Sequence, residues 1–297
     1  MGTVIDGKAL ASATRDGLAE RVRTLRDRGV AVRLDAVLAA GRSGSGAAAR
    51  VYAENQARTT KSLGIDYHLH ELDADADQDE VLGRVLLLNE KPSVHAVMVH
   101  LPLPAGVDPY IVQSRISPPK DVEGVNPANI GNIIYGQSSL VPCTALAVLR
   151  MIESTGLELR GARAVVVGAS DIVGKPLAAL LMQREATVIS CNKFTEGIVE
   201  LSRSADVVIA AAGVAGLIGP EWVKPGATVI DVGIHRVKVD PPLPDGTKMR
   251  TVGDVRFDEV EPVAGAISPV PGGVGPMTVA ALLSNVVDAA ERSARGA

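Results

Sequence analysis

The run at residues 164–167 is apolar and β-branched, and Gly168 follows it at once, with Ser170 and Gly174 close behind. Such a run reads as a buried parallel strand. A helical pattern starts near Pro176, with Leu177, Leu180 and Leu181 on one face and the proline suited to a first turn. Strand, glycine turn and helix N-terminus together form a cradle for a phosphate. Backbone N–H groups and the helix dipole supply its positive end, and glycine lets the anion come close. Ser170 holds the second glycine position of the Gly-x-Gly-x-x-Gly pattern. The next strand, residues 186–191, ends in Asn192-Lys193, without the carboxylate that would hold a ribose 2′-hydroxyl. A cation there suits a 2′-phosphate, so the pattern favours NADP over NAD.

A second set of polar residues lies earlier in the chain. Tyr52 and Gln56 are four apart on a helix read over residues 47–63, so they share a face. His100 ends a strand over residues 94–100, directly before Leu101-Pro-Leu-Pro104. Open α/β sheets place their ligands at such C-terminal strand ends. The loop Pro118-Pro-Lys-Asp-Val-Glu-Gly124 carries two carboxylates and a lysine, and Asn126-Pro-Ala-Asn-Ile-Gly131 continues it. A stretch this rich in Pro, Gly and Asn is either a rigid linker or a binding loop. Thr144 stands where it could N-cap a helix over residues 145–155. The run Pro269-Val-Pro-Gly-Gly-Val-Gly-Pro276 forces turns, and backbone so bare of side chains can approach a flat ligand closely.

The elements that must position these groups alternate strand and helix. Residues 9–28 read as an amphipathic helix, 32–40 and 65–72 as strands, and 78–89 as a helix. The segment at 42–46 reads as a flexible loop, and 73–77 as a solvated acidic loop that lacks the glycine and terminal glutamate of a calcium loop. Beyond residue 187 come a helix at 195–202, a strand at 206–211 leading to Gly213, and a strand within 226–233. A final helix from Met277 to about Arg292 is expected to pack back on the first domain. The fold class is α/β in two domains, which suits 297 residues. A net charge of −4 gives no nucleic-acid footprint. Cys143 and Cys191 are far apart, with no zinc spacing, so no metal is expected and a reduced, cytoplasmic compartment is. No apolar run reaches the ~20 residues of a membrane span, and the N-terminus lacks a signal-peptide pattern.

These landmarks resemble one family along nearly the whole chain: FolD, the bifunctional methylenetetrahydrofolate dehydrogenase/methenyltetrahydrofolate cyclohydrolases. The resemblance is carried by Pro102-Leu-Pro104, Pro119-Lys-Asp-Val-Glu-Gly124 with Asn129 and Gly131, and Pro142-Cys-Thr144. Gly168-x-Ser170-x-Ile-Val-Gly174-x-Pro176, Asp231-Val-Gly233, Gly253-Asp-Val255 and Pro269-Val-Pro-Gly-Gly-Val-Gly-Pro-Met-Thr278 complete it. It implies a homodimer whose subunits have a folate-binding catalytic domain (1–143, completed by the helix at 277–297) and an NAD(P)-binding Rossmann-like domain (144–276). Folate and NADP would meet in the cleft between these domains. A tetrahydrofolate carrying one carbon would be oxidised by hydride transfer to NADP, and the methenyl cation would then be hydrated. Carried over residue by residue, the substrate side would be formed by Tyr52, Leu101, Pro102, Glu123, Pro271, Gly272 and Gly273. The cofactor side would be formed by Thr144, Gly168, Ala169, Ser170, Val173, Lys193, Gly213 and Ile234.

The departures sit at the chemistry. The lysine expected four residues after Tyr52 is Gln56, the glutamine before the Leu-Pro-Leu-Pro run is His100, and the second aspartate of Lys-Asp-Val-Asp-Gly is Glu123. Ala169 replaces the arginine of the Gly-Arg-Ser turn, which leaves Lys193 alone to carry a preference for the 2′-phosphate, and Ala145 replaces the last proline of Pro-Cys-Thr-Pro. Hydride transfer rests mostly on positioning. Hydrating the cation also needs proton traffic, which a lysine of lowered pKa can provide and an amide cannot. Neither Arg58 nor Lys61 lies at helical spacing to replace it. The expected activity is therefore an NADP-dependent dehydrogenase with weak or absent cyclohydrolase. The alternatives are a full bifunctional enzyme with His100 as proton relay, or a non-catalytic folate-binding paralogue.

Overall fold

A computed structural model describes residues 2–39, 45–137, 140–238 and 248–296. The flexible loop expected at 42–46 falls largely outside them. In chain order the elements begin with β1 (Thr3–Val4), α1 (Gly7–Asp27), β2 (Arg33–Ala39), α2 (Ser45–Ser62) and β3 (Asp66–Leu72). Next come α3 (Gln78–Asn89), β4 (Ala96–Val99), α4 (Pro109–Ser114), α5 (Pro127–Ile134) and α6 (Cys143–Glu153). Then follow β5 (Arg163–Val167), α7 (Gly174–Gln183), β6 (Thr187–Cys191), α8 (Ile198–Arg203), β7 (Val207–Ala210) and β8 (Thr228–Asp231). The chain closes with β9 (His235–Lys238), β10 (Met249–Val252), α9 (Phe257–Val260), β11 (Ala266–Ile267) and α10 (Val274–Gly296). No helix among the described residues is long and apolar enough to cross a membrane.

The chain divides into two compact units. One comprises Met1–Ser12 with Thr144–Ala281, the other Ala13–Cys143 with Leu282–Ala297. The first holds a parallel sheet in the order β1-β11-β8-β7-β5-β6, with the hairpin β9–β10 beside it in sequence. Its core gathers Val165, Val167, Val208, Ala210 and Val229 from the central strands with Trp222 and Ile267. The order turns back at β5: β6 lies on one side and β7 on the other, so the C-terminal ends of β5 and β7 flank the reversal point where such sheets take ligands. The second unit holds the parallel sheet β3-β2-β4, which reverses between β2 and β4 in the same way. Helix α3 packs there through Val81, Val85 and Leu88 against Val37, Val97 and Val99.

Two boundaries differ from the sequence reading. Residues 1–12 belong with the six-stranded sheet, because Thr3 and Val4 pair in parallel with Ala266 and Ile267 of β11. Two residues make a strand too short for any periodicity to reveal. Helix α6 starts at Cys143, so Thr144 lies inside its first turn instead of capping it. The acidic loop at 73–77 also does more than stay solvated. Asp77 accepts the Glu80 N–H while Glu80 accepts the Asp77 N–H, both at 2.9 Å, a capping box that starts α3.

Candidate active site

In the first unit β5 ends in Gly168, whose φ is +121° and whose absent Cβ would lie 2.0 Å from the Ala211 carbonyl oxygen. Only glycine takes this backbone and lets the ends of β5 and β7 approach so closely. Gly174 repeats the constraint, since a Cβ there would meet the Gly168 carbonyl at 1.9 Å. Ser170 Oγ accepts the N–H groups of Val173 and Gly174, each at 3.3 Å, tying the turn to the start of α7. Its O–H remains able to donate. The result is the bare-backbone cradle at a helix N-terminus that the sequence predicts, and its residues fit a dinucleotide pyrophosphate. At the end of β6, Lys193 is exposed and its Nζ lies 4.9 Å from the centroid of the exposed Phe194 ring. Ring and ammonium are in cation–π contact, and the cation stays open to solvent. Ile234 is also exposed, just past β8.

Gly213 has its N–H committed within the protein. Its N–H and that of Ala212 are both taken by Asp254 Oδ2, at 2.8 and 2.7 Å, while Asp254 Oδ1 pairs with His235 Nε2 at 2.7 Å. Asp231 in turn accepts the N–H groups of Gly233, Asp254 and Val255, each at 2.9 Å. Burial pushes the Asp231 carboxyl up to about 6. A Cβ on Gly253 would strike Asp231, and one on Gly233 would strike Asp254, at 1.9 and 2.2 Å. The Asp-Val-Gly and Gly-Asp-Val motifs are thus one structure: each glycine clears the path of the other motif's carboxylate. The pair fixes the chain leaving β7 and β8.

The Pro271-Gly272-Gly273 run is in this unit too. Gly272 has φ +111°, and the Gly273 carbonyl oxygen would lie 1.9 Å from a Cβ on Gly7. Gly273 is buried against Gly7 and serves chain packing; Gly272 and Pro271 keep the more accessible backbone expected of a ligand-facing turn.

In the second unit the loop after α4 assigns each polar residue a task. Lys120 Nζ donates to the carbonyls of Leu88, Asn89 and Lys91 at 3.3, 2.6 and 2.8 Å, a cation at the negative C-terminal end of α3. Asp121, fully buried, accepts the Asn126 N–H and Asn129 Nδ2, both at 2.8 Å, and locks the loop onto α5. Gly124 has φ +70° and sits where a Cβ would lie 2.2 Å from the Val141 backbone. Asn285 of α10 bonds the carbonyls of Val122 and Val141 at 2.8 and 3.0 Å, so this helix does return to the loop. Glu123 is left for the site. Its Oε2 accepts the Val99 N–H at 3.3 Å, beside the end of β4. Burial, opposed by that hydrogen bond, pushes its carboxyl up to about 7.

His100 follows β4 and is 3% exposed. The edge-to-face Tyr52 ring lies 6.0 Å away, centroid to centroid, at 84°. On the other side Tyr67 Oη lies 3.2 Å from His100 Nε2. Burial pulls the imidazole down to about 4. Tyr52 is half exposed, and its phenol is pushed up by burial and then by the Glu123 and Cys143 charges, which places those groups within electrostatic reach. Gln56 is 5% exposed, yet among the described residues neither its Nε2 nor its Oε1 has a partner; the Thr60 hydroxyl, one turn on, has none there either. Each such group costs about 1–3 kcal/mol unless something supplies its bond. Leu101 and Pro102 stand exposed at the same strand end, joined by a cis peptide. Tyr52, His100, Leu101, Pro102 and Glu123 are therefore brought together. Tyr67 escapes a reading for motifs, whereas Asp231 and Asp254 stand in motifs whose hydrogen bonds to each other's chain only the fold reveals. The one signal for Tyr67 is an aromatic residue on a strand otherwise facing aliphatic neighbours.

Comparison with known proteins gives one answer. Residues 5–123 match the catalytic domain of tetrahydrofolate dehydrogenase/cyclohydrolase, and residues 142–294 match its NAD(P)-binding domain. Bifunctional protein FolD of Brevibacillus brevis is 41% identical over 293 residues, covering 99% of each chain. That of Rhodopseudomonas palustris is 45% identical over 288 residues, 97% of this chain and 95% of its own. Among solved structures, FolD from Campylobacter jejuni superposes with a TM-score of 0.90 at 36% identity, covering 98% of this chain and 99% of its own. The Trypanosoma brucei enzyme, complexed with NADP and an inhibitor, gives 0.89 at 37% identity and covers 99% of both chains.

Proposed function

Because the chain belongs to the FolD family of NADP-dependent methylenetetrahydrofolate dehydrogenase/cyclohydrolases, we propose that it keeps the dehydrogenase and has little or no cyclohydrolase activity. The buried, unpartnered amide of Gln56 carries this reading. An amide so placed can hydrogen-bond a ligand or a water, but it has no proton to exchange at neutral pH. His100 is poorly suited to donate a proton in place of a lysine. With its imidazole at about 4, it is neutral at pH 7 and has no spare proton to give. Tyr67 and Tyr52 are both held above the usual phenol range by burial, so neither titrates near neutrality.

Dehydrogenation asks less of these groups. NADP, when bound, supplies the hydride acceptor. The cradle of Gly168, Ala169, Ser170 and Val173 would hold its pyrophosphate and Lys193 its 2′-phosphate, with Ile234 at the exit of β8. Tyr52 offers a flat face and Gln56 a neutral amide to the folate ring system, and Glu123 offers an acceptor to its N–H edge. Leu101 and Pro102 supply apolar surface there, and in the other unit Pro271 and Gly272 form a turn of accessible backbone. Positioning of this kind accounts for much of the rate of a transfer between two bound partners. The proposal retains the homodimer implied by the family and the cytoplasmic setting implied by two free cysteines.

The test follows NADP reduction on adding 5,10-methylenetetrahydrofolate, and separately the decay of methenyltetrahydrofolate absorbance corrected for its spontaneous rate. Reduction should be robust and hydrolysis close to the uncatalysed rate. Hydrolysis as fast as dehydrogenase turnover would refute the reading.

Glu123 makes a further prediction. Its carboxyl ionises only as pH rises through about 7, so an anchoring carboxylate is mostly absent at pH 6 and present at pH 8. The KM for the folate substrate should fall across that window by about tenfold, since ionised hydrogen bonds are worth roughly 1.5–3 kcal/mol against about 1 for neutral ones. Glu123→Gln should flatten the profile. A KM that rises or stays level between pH 6 and 8 in the unsubstituted enzyme would exclude this role.

A further inference from the structure

We propose that Tyr67 is a positioning residue for the reaction: its phenol O–H donates to His100 Nε2 and so fixes the imidazole as the Nδ1–H tautomer, set edge-to-face against Tyr52. The inference rests on the reading above that Tyr52 and His100 belong to the substrate site.

Three elements build the arrangement. Tyr67 on β3 stands level with Leu34 of β2, which in turn stands level with Ala96 of β4. Side chains alternate along a strand, so Tyr67, Leu69, Ala96, Met98 and His100 share one face. Leu69 packs there with Leu38 and with Ala49 and Ala53 of α2, so this is the face that α2 covers. Tyr52 comes from the same helix. The imidazole is thus held between a phenol hydroxyl at 3.2 Å and a perpendicular ring with its centroid at 6.0 Å.

The direction of the hydrogen bond follows from the surroundings. Tyr67 is buried, and among the described residues its hydroxyl has no side-chain or backbone partner except His100. A hydroxyl that only accepted would leave its own hydrogen unmet in an apolar setting. Among the described residues no carboxylate is bonded to His100, and burial favours the neutral ring, which carries a single N–H. Donation by Tyr67 to Nε2 therefore puts that N–H on Nδ1. In a histidine the bond made by one ring nitrogen decides the state of the other. The position that holds glutamine in the family is then filled by a neutral, oriented N–H donor, an amide's function without its second rotamer.

Long-range proton–nitrogen NMR on histidine-labelled protein reads the tautomer directly and needs no substrate. The unsubstituted enzyme should show one buried histidine with Nε2 bare and Nδ1 protonated, and His100→Gln should remove that signal. In Tyr67→Phe the same histidine should shift towards the Nε2–H form. His100 protonated at Nε2 in the unsubstituted enzyme would overturn the proposal, even if Tyr67→Phe did not fold.

The kinetic arm is a cycle. Tyr67→Phe should lower dehydrogenase kcat/KM about tenfold while leaving the melting temperature within a few degrees. The same change in a His100→Gln background should have no kinetic effect. An undiminished loss in that background would show that Tyr67 does not act through His100. Absence of NADP reduction in the unsubstituted enzyme would instead sink the dehydrogenase reading, and the NMR result would stand apart from it.

Discussion

Replacing Gln56 by lysine should raise methenyltetrahydrofolate hydrolysis by about 100- to 10,000-fold, the usual worth of a positioned acid–base group. The site is prepared for it. Position 56 is buried on α2, one turn from Tyr52, and among the described residues the present amide has no partner that would need to be displaced. An ammonium placed there would be desolvated, and burial lowers a lysine pKa towards neutrality, where proton exchange is most effective. The price is reduced stability above all at low pH, where the buried lysine must carry its charge. The assay belongs near pH 8, with a thermal melt to confirm folding. Dehydrogenase turnover should change by less than about tenfold, because positioning and not proton transfer governs it. Gln56→Met serves as the control with no titratable group. A folded Gln56→Lys enzyme that reduces NADP but hydrolyses no faster than its parent would show that the missing proton relay is not what limits the second step.

The second large effect lies far from any titrating role. Asp254→Ala should destabilise the protein by ~3–5 kcal/mol, because it strips a fully buried carboxylate from three donors. The N–H groups of Ala212 and Gly213 would lose their acceptor, and His235 would lose its partner. For a unit of this size the loss corresponds to a melting temperature lower by about 10 °C. The chain leaving β7 should loosen with it, and the KM for NADP should rise more than the KM for folate. Asp254→Asn keeps one acceptor oxygen and should recover part of both losses. A melt lowered by less than about 2 °C would mean that these hydrogen bonds contribute little to the net stability.

Much of the site could be read before any coordinates. Gly168 and Gly174 are dictated locally: a chain that turns from strand into helix at such close approach cannot carry a Cβ. The pairing of Tyr52 with Gln56 follows from helical spacing alone, and the chemical poverty of an amide at that position is a property of the residue type. Helix α3 is announced by its own capping box. Other features needed the folded chain. Thr144 has the residue type of an N-cap, but α6 begins one residue earlier. Gly213 stands at a strand exit as a cofactor-facing residue would, yet its N–H is committed to Asp254, 41 residues away in sequence.

Sequence alone therefore established the α/β class and the glycine turn between β5 and α7, and it places an amide one helical turn after Tyr52. These are written in backbone torsions, hydrophobic period and side-chain chemistry, all of which act over a few residues. Tertiary structure decided that Tyr67 bonds His100, that Glu123 reaches the end of β4, that Asp231 and Asp254 tie two strand exits together, and that β1 joins the six-stranded sheet. The acid strengths followed from the same source. A polar group's partner is set by which strands lie side by side, and its pKa by how much water the surrounding fold removes; neither quantity exists until the chain has closed around it.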